Sequence, residues 1–338
     1  MTNEAAAVDV SAKSWWPKIR DFVWARAKLL VILLVALTLL TLFAQGYWVF
    51  DLLANLRVQQ VLLGLFLLAV CGLYHEWKWM AVVALCLLFH LPAFASLFRG
   101  QGVPLAEGHL TVTVSNVLSS NQNINAILTD ALQDDPDVLV FLELTSWQAA
   151  EISQRTKSHY PHAVVRPSDF GNFGIGLYSK YPFDATEVFQ LNEKIDSIEA
   201  RITVDNHRYR IIGTHPLPPV RAAGFASRNE HLHELAARLI HKKDHRENLP
   251  TIVVGDLNVT PWSPCFAEIA NPLSGLRRAA IGFDVTPTWY VLPIFPLGLT
   301  LDHALITEDL VCTKKRIGGP IGSDHRSVTV TVAPRGFP

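Results

Sequence analysis

The feature that most constrains this chain is the concentration of apolar residues in its first third. From residue 29 to residue 98 the charged residues and histidines are few: Asp51, Arg57, His75, Glu76, Lys78 and His90. Three apolar runs fill the rest of this region, at 29–50, 58–74 and 79–98. A helix that crosses the hydrocarbon core of a bilayer needs about 20 apolar residues. The sequence therefore predicts three membrane helices, of which the second is the shortest.

Basic residues on the two sides of the first run predict how the chain crosses the membrane. Residues 1–28 contain Lys13, Lys18, Arg20, Arg26 and Lys28, whereas the loop before the second run has only Arg57. Because cytoplasmic flanks are rich in Lys and Arg, residues 1–28 are predicted to be cytoplasmic. Three crossings then place everything after a linker at 99–107 outside the cytoplasm. If the second run does not insert, the same domain lies in the cytoplasm.

Residues 108–338 have a different residue pattern, in which short apolar runs end in turn residues. Alternating runs such as HLTVTVSNVL predict strands, and RNEHLHELAARLIHKK has the spacing of a helix. Strands dominate without an evident linker, so we expect one α+β domain in which stacked sheets are flanked by helices. From residue 107 onward the chain has 21 basic and 25 acidic residues, a net charge of −4. This balance argues against a stable nucleic-acid partner, since phosphate contacts favour a basic surplus.

Polar residues recur where the apolar strands end. In chain order they are Asn116, Glu143, His215, Asp256, Asn258, Asp302 and His303. A further cluster, Asp324, His325 and Arg326, precedes the alternating run from Val328 to Val332. If these strand ends meet at one edge of a pair of sheets, they form a pocket of carboxylates, amides and imidazoles. Each residue alone is an ordinary strand end, and only the recurrence points to a site.

The inventory of that pocket suits one chemistry. Carboxylate and amide oxygens are the ligands of hard cations such as Mg²⁺, whereas zinc favours closely spaced His and Cys. A cation bound in this way neutralises phosphoryl oxygens, and a histidine oriented by a carboxylate moves protons. The sequence therefore predicts a hydrolase of phosphoric esters that uses Mg²⁺, or Mn²⁺ in its place.

Seven segments in order resemble the endonuclease/exonuclease/phosphatase superfamily, the DNase I-like group. The segments are SNVLSSN, DVLVFLELT, GIGLYSKYP, GTHPLPP, VVGDLNVTPW, TLDHALIT and GSDHRSV, which lie within residues 111–332. The resemblance implies a four-layer α/β/β/α sandwich preceded by the membrane helices. In architecture the chain is similar to membrane-anchored bacterial members, the VanJ type, with an external catalytic domain on the inner membrane.

The resemblance also implies roles for individual residues. It implies Glu143 as the principal Mg²⁺ ligand with Asn116 beside it, and Asp324 close enough to the metal to assist. Asp256 and Asn258 match the pair that places the attacking water and a phosphoryl oxygen, and His215 matches the histidine that contacts the scissile phosphate. His325 is implied as the acid/base histidine, with Asp302 fixing its tautomer. Which of Asp256 and His325 is the general base stays open.

The same resemblance leaves the substrate open. The membrane-anchored members suggest a lipid-linked phosphate or pyrophosphate, with the lipid bilayer as the partner. The alternatives are a tethered nuclease and a non-catalytic member that only binds a ligand. Leu118 stands where abasic-site endonucleases carry an acid, which removes one possible metal ligand. Arg228 is a candidate for binding a second phosphate, and the loop 286–300 is either a buried loop or a rim that meets lipid.

Overall fold

The structure, a computed structural model, describes residues 15–95, 107–244, 248–292, 294 and 297–336. These residues form two compact units. One comprises residues 15–39 and 60–90, and the other comprises residues 40–59 together with the described residues from 91 onward. The first 14 residues of the predicted cytoplasmic segment 1–28 lie outside the described residues, as do most of the linker 99–107 and the end of the third apolar run.

The first unit contains most of three helices, α1 (Trp16–Leu40), α3 (Arg57–Leu73) and α4 (Trp77–Phe94). They pack through a cluster of buried apolar side chains, namely Val31, Leu34, Leu67, Cys71, Val83 and Cys86. Among the described residues, two helical segments are long and apolar enough to cross a membrane, Trp16–Phe43 and Trp77–Phe94. A third span exists only if α3 is counted together with the short helix before it, across a bend.

That short helix is α2 (Trp48–Asn55), and its position differs from the prediction. The sequence predicted one helix over 29–50, but α1 ends at Leu40 and a 3₁₀ turn follows at Thr41–Phe43. α2 then begins as a separate helix within the second unit. The physical reason lies in its polar residues, because Asp51 and Asn55 are buried and hydrogen-bonded to that unit.

The second unit is built mainly from strands. In chain order they are β1 (Leu110–Asn116), β2 (Val138–Leu142), β3 (His162–Arg166), β4 (Ile175–Ser179), β5 (Phe183–Leu191), β6 (Ile195–Val204), β7 (His207–Gly213), β8 (Thr251–Asp256), β9 (Leu276–Arg278), β10 (Trp289–Tyr290), β11 (Gly298–Leu299), β12 (Asp302–Thr307), β13 (Leu310–Ile317) and β14 (Val328–Pro334). Its longer helices after α2 are α5 (Ile124–Ala131), α6 (Ser146–Thr156) and α7 (Arg221–Asp244).

Two six-stranded sheets pack face to face in this unit. Their strand orders are β13-β14-β1-β2-β4-β3 and β5-β6-β7-β8-β12-β9. The main core lies between them and combines side chains such as Val112 and Val140 of the first sheet with Ile211 and Val254 of the second. α5 and α6 cover the outer face of the first sheet, and α7 covers that of the second. The predicted four-layer α/β/β/α sandwich is therefore confirmed.

The topology brings six strand ends to one edge. β1 runs parallel to β2, and β7 runs parallel to β8, so the carboxyl ends of these four strands point the same way within each sheet. β12 is antiparallel to β8 and β14 is antiparallel to β1, so their amino ends lie at that edge too. In register, Asp302 at the start of β12 faces Asp256 at the end of β8. Polar residues at these ends therefore meet.

Candidate active site

The carboxylate of Asp256 lies at the centre of the site. Its Oδ2 atom is 3.5 Å from Nε2 of His215 and 3.5 Å from Nε2 of His325. The same oxygen accepts a hydrogen bond of 3.3 Å from the side-chain amide of Asn116. All four residues are at most 5% exposed. The structure therefore brings together four of the predicted site residues from four different strand ends.

His325 is held from its other side by Asp302. The Nδ1 atom of His325 is 2.8 Å from Oδ2 of Asp302, so this nitrogen carries the hydrogen and Nε2 faces Asp256. Thr288 fixes the backbone of the acid, since its hydroxyl accepts hydrogen bonds from the amides of Leu301 and Asp302. The predicted carboxylate–histidine pair is thus present in the structure, with a supporting threonine that the sequence did not reveal.

Burial and the charges within this cluster raise the pKa values of some of its residues and lower those of others. Burial acts to lower the pKa of His325, but the charges of Asp302 and Asp256 outweigh it and raise the pKa to about 10. Burial raises the pKa of Asp302, against the opposing charge of His325. Burial acts to raise the pKa of Asp256 as well, yet His325 and His215 outweigh it and the pKa is lowered. These directions favour a charged His325 beside an ionised Asp256.

Glu143 enters the site from the end of β2. Its Oε1 atom accepts a hydrogen bond of 3.0 Å from the amide of Asn116, and the hydroxyl of Ser119 donates to its carbonyl at 3.0 Å. Its backbone has φ 58°, a conformation that is uncommon outside glycine and that clusters at functional positions. The side-chain amide of Asn116 thus donates to both Glu143 and Asp256 and connects the ends of β2 and β8.

Asn258 joins the ends of β7 and β8. Its backbone amide donates to Oδ1 of Asp256 at 3.0 Å, and its side-chain amide donates to the carbonyl of Pro216 at 3.0 Å. Asn258 has φ 52°, which asparagine tolerates better than most residues. The preceding Gly255 allows the two strands to approach, because a Cβ there would lie 2.0 Å from the carbonyl oxygen of Thr214. The GDLN motif is therefore required by the backbone as well as by its side chains.

Three of these residues could also bind a metal ion. Within the described part of the chain, ligand atoms of Asp256, Asp302 and His325 lie within 4.8 Å of one another. However, Nδ1 of His325 and Oδ2 of Asp302 are hydrogen-bonded to each other at 2.8 Å, so these two atoms are engaged in a histidine–carboxylate pair. Glu143, the predicted principal ligand, offers the carboxylate oxygens that a hard cation prefers, whereas the amide oxygen of Asn116 accepts a hydrogen bond of 3.1 Å from the backbone amide of Leu118. We therefore favour the Glu143 side of the cluster for a cation.

These residues face a cleft of about 540 Å³. Much of its remaining lining is apolar and comprises Leu52, Phe173, Leu217, Pro218, Pro219, Val220, Trp289, Leu299 and Leu301. Asp324 also lines the cleft, but it is exposed, and its Oδ2 atom accepts a hydrogen bond of 2.8 Å from Nε1 of Trp289. The structure thus brings Asp324 to the cleft, and its role beside a metal remains a prediction.

Arg228 does not lie in the cleft, and the prediction that it binds a substrate phosphate is wrong. Its side chain is fully buried, and its guanidinium donates to Oδ2 of Asp51 at 2.8 Å and to the carbonyl of Asn258 at 2.9 Å. The sequence placed Asp51 in the membrane region, so the partner of this arginine was not apparent. Arg228 therefore supports the site from behind.

The comparisons with known proteins agree with this architecture. The family model described as "Endonuclease/Exonuclease/phosphatase family" matches residues 114–325, more than half of the chain. The chain therefore belongs to the endonuclease/exonuclease/phosphatase family, whose members are generally phosphoester hydrolases. No curated protein sequence matches the chain.

Solved structures share the fold at low identity. An endonuclease/exonuclease/phosphatase from Beutenbergia cavernae DSM 12333 is 17% identical with a TM-score of 0.55, covering 68% of this chain and 72% of that one. The human Nocturnin catalytic domain with bound sulfate is 17% identical with a TM-score of 0.56, covering 69% and 96%. Sphingomyelinase C from Streptomyces griseocarneus is 17% identical with a TM-score of 0.50, covering 67% and 99%. At these identities the likeness establishes the fold alone.

Proposed function

We propose that the protein is a membrane-anchored, Mg²⁺-dependent phosphoesterase that hydrolyses a lipid-linked phosphate ester or pyrophosphate outside the cytoplasm. The observation that carries the proposal is the position of Asp256, with the Nε2 atoms of His215 and His325 each 3.5 Å from one carboxylate oxygen. Two imidazoles around a buried carboxylate, with a second carboxylate next to them, suit hydrolysis of a phosphoryl group.

The donor set fits a divalent cation. Glu143 and Asn116 would hold it, with Asp324 assisting from the rim, because oxygen ligands from carboxylates and amides suit Mg²⁺. Both carboxylates are buried, and the amide nitrogen of Asn116 donates to each of them. When bound there, the cation neutralises charge on the phosphoryl oxygens and on the leaving oxygen.

The proton transfers belong to Asp256 and His325. Asp302 orients the imidazole through Nδ1, which leaves Nε2 free to give or take a proton in the cleft. Oδ1 of Asp256 is fixed by the backbone amide of Asn258, which leaves Oδ2 facing both imidazoles. We assign Asp256 as the acceptor of the proton from the attacking water and His325 as the donor to the leaving oxygen.

His215 and Asn258 act on the phosphoryl group itself. His215 lines the cleft, and the centroid of its ring lies 5.6 Å from that of Phe173. Asn258 lines the same cleft and ties the loop after β7 to the end of β8. Both side chains are therefore placed to orient phosphoryl oxygens beside Asp256.

The apolar surroundings of the cleft support a lipid-linked substrate. β10 and β11 pair as an apolar hairpin, defined as residues 289–299, and its described side chains Val291, Leu292, Ile294 and Leu297 are exposed. Trp289 and Leu299, in the two strands of this hairpin, also line the cleft. A contiguous exposed apolar surface beside a site is typical of contact with lipid or another apolar partner. The loop 286–300 is therefore not simply buried.

The location outside the cytoplasm rests on the basic flank of α1. Lys18, Arg20, Arg26 and Lys28 precede or begin its apolar part, which favours a cytoplasmic amino terminus. Protease treatment of intact spheroplasts tests this location. We expect cleavage of the catalytic unit from outside; protection until the cells are lysed would place the unit in the cytoplasm.

The function is tested by a panel of substrates incubated with the full-length protein in detergent and Mg²⁺. The panel comprises polyprenyl pyrophosphate, sphingomyelin, phosphoinositides and plasmid DNA, each measured beside Glu143→Ala as the inactive control. We expect phosphate release from a lipid-linked substrate that Glu143→Ala abolishes. Nicking of plasmid DNA that requires Glu143, without lipid hydrolysis, would replace this proposal with a nuclease. No hydrolysis of any substrate would favour a protein that only binds a ligand.

A further inference from the structure

Helix α2 carries two polar residues whose burial requires an explanation. The helix reads WVFDLLAN, and Asp51 and Asn55 are 0% and 3% exposed. Burying a carboxylate costs several kcal/mol unless it is paired and hydrogen-bonded. Both residues find their partners within the unit that contains the candidate active site. The helix is therefore bound to that unit by specific polar contacts.

Asp51 forms the main contact of α2. Its Oδ2 atom accepts a 2.8 Å hydrogen bond from Nη2 of Arg228, and its Oδ1 atom accepts a 2.6 Å bond from the hydroxyl of Ser263. Both Asp51 and Arg228 are 0% exposed. Removing one partner of such a pair leaves a charge buried without compensation, so the two residues depend on each other.

Arg228 connects this ion pair to the candidate active site. Its Nη1 atom donates a 2.9 Å hydrogen bond to the carbonyl of Asn258. Asn258 has the unusual φ of 52°, and its backbone amide holds Asp256. A guanidinium fixed by Asp51 thus restrains the carbonyl of Asn258, the residue whose backbone amide holds the central carboxylate. The chain of contacts from α2 to Asp256 passes through only two residues.

Other residues next to the ion pair strengthen this attachment. Oδ1 of Asn55 accepts hydrogen bonds from the amide and hydroxyl of Thr260, and its carbonyl accepts one from Nε1 of Trp262. Gln59, in the first turn of α3, donates to the carbonyl of Gly298 in β11 at 2.9 Å. Asn55 of α2 therefore contacts the loop after Asp256, and Gln59 at the start of α3 contacts the apolar hairpin.

α2 also contributes directly to the cleft. Leu52 and Asn55 lie among the residues that line it, together with Leu299 and Leu301. Leu52 is partly exposed to the cleft, whereas Asp51 faces the protein interior. In one helix, therefore, Leu52 lines the cleft and its neighbour Asp51 binds Arg228 in the protein interior.

We propose that α2 is part of the active site, in which Asp51 and Arg228 are positioning residues for Asn258 and Leu52 is a wall that contacts the substrate's apolar part. This inference rests on the proposed function. It assigns to a segment between two apolar helices a role in turnover and selectivity, in addition to connecting those helices. A catalytic unit cut away from residues 40–59 would lack both the wall and the support.

The positioning role is tested with Asp51→Asn in the full-length protein. Hydrolysis of bis(p-nitrophenyl) phosphate with Mg²⁺ should show a kcat at least tenfold below that of the unsubstituted protein, with KM within threefold. Glu199→Gln is the matched control, because Glu199 is a buried carboxylate that lies 3.4 Å from Arg210 and is not among the residues that line the cleft. We expect its kcat to stay within threefold. A role in folding alone would lower the amount of folded protein in both variants without this split between kcat and KM.

The wall is tested independently with Leu52→Trp, which alters a partly exposed side chain and so preserves the interior. Methyl p-nitrophenyl phosphate and octyl p-nitrophenyl phosphate share a leaving group and differ only in the alkyl chain. We expect the ratio of kcat/KM for the octyl over the methyl ester to fall at least fivefold. If Asp51→Asn does not fold, this ratio decides the inference.

The outcomes separate this inference from the proposed function. An active protein whose kcat and ester selectivity are unchanged in both variants overturns the inference alone. A protein that hydrolyses none of these esters overturns the proposed function, and the inference falls with it. A loss of kcat in Asp51→Asn together with altered selectivity in Leu52→Trp supports the role of α2.

Discussion

Two parts of the cleft differ in origin: the floor, which is the cluster around Asp256 and His325, and the wall, which is the part lined by α2. The floor consists of Asp256, His325 and their neighbours, which come from strand ends within residues 114–325 and stand in recognisable motifs. The wall includes Leu52 and Asn55 of α2, which lies before the first strand of the sandwich and between two apolar helices. Under our proposals the sandwich carries the chemistry, and a segment that precedes its first strand shapes the space where the substrate binds.

The largest effect is expected at the floor, from His325→Ala. Removing an acid/base histidine costs roughly 10²- to 10⁴-fold in turnover, and we expect a loss of about 10³-fold in kcat. The measurement is hydrolysis of bis(p-nitrophenyl) phosphate with Mg²⁺, with circular dichroism to confirm the fold. A kcat within tenfold of the unsubstituted protein would remove His325 from the proton transfers.

A smaller loss is expected when the cation site is weakened. Glu143→Gln keeps the shape of the side chain and removes its charge, so we expect kcat at saturating Mg²⁺ to fall roughly 10²-fold. Chelation of the cation with EDTA should abolish the activity of the unsubstituted protein, and added Mg²⁺ should restore it. Activity that persists in EDTA would argue that the carboxylates work without a cation.

At the wall we expect an effect on stability as well as on turnover. Asp51→Ala leaves the buried guanidinium of Arg228 unpaired, which costs about 3–5 kcal/mol. For a unit of this size the loss corresponds to a fall of about 6 °C or more in Tm. Glu151→Ala is the control, because Glu151 forms a solvent-accessible i,i+4 pair with Arg155 on α6 and should change Tm by less than about 2 °C. Equal shifts in the two variants would show that the buried pair has no special role.

The smallest effect is expected at the apolar hairpin. Leu292 is exposed, and replacing it with Ser removes apolar surface that would leave water on contact with lipid. We expect kcat/KM for a lipid-linked substrate in vesicles to fall roughly threefold, since partial burial of one Leu is worth under about 1 kcal/mol. Hydrolysis of a soluble ester should be unchanged, and Leu273→Ser, another exposed leucine, should affect neither. A matching loss on the soluble ester would exclude a lipid-contact role for the hairpin.

The sequence predicted the residues of the floor because the end of a strand can be recognised in a sequence. An apolar run that stops at a polar residue marks Asn116, Glu143, Asp256 and Asp302, and parallel and antiparallel pairing of their strands brings them together. Thr288 and Ser119 were missed as supports, although both lie within motif segments or close to them. Hydroxyl side chains in loops are too common for a pattern to single them out.

The wall could not be predicted, because its contacts join residues far apart in sequence. Asp51 and Arg228 are 177 positions apart, and nothing local indicates that they pair. In isolation Asp51 is a charge between two apolar runs, and Arg228 is a basic residue on a helix. The sequence predicted a membrane helix that ends at residue 50 and a substrate contact for Arg228, whereas in the structure Asp51 of α2 pairs with Arg228.

The central claim is tested most directly by Mg²⁺-dependent phosphate release from polyprenyl pyrophosphate by the full-length protein. The account predicts release that requires Mg²⁺ and is lost in Glu143→Ala, whose folded state is verified by its unfolding midpoint. Release that is equal for the unsubstituted protein and Glu143→Ala, or absent from both, would contradict it.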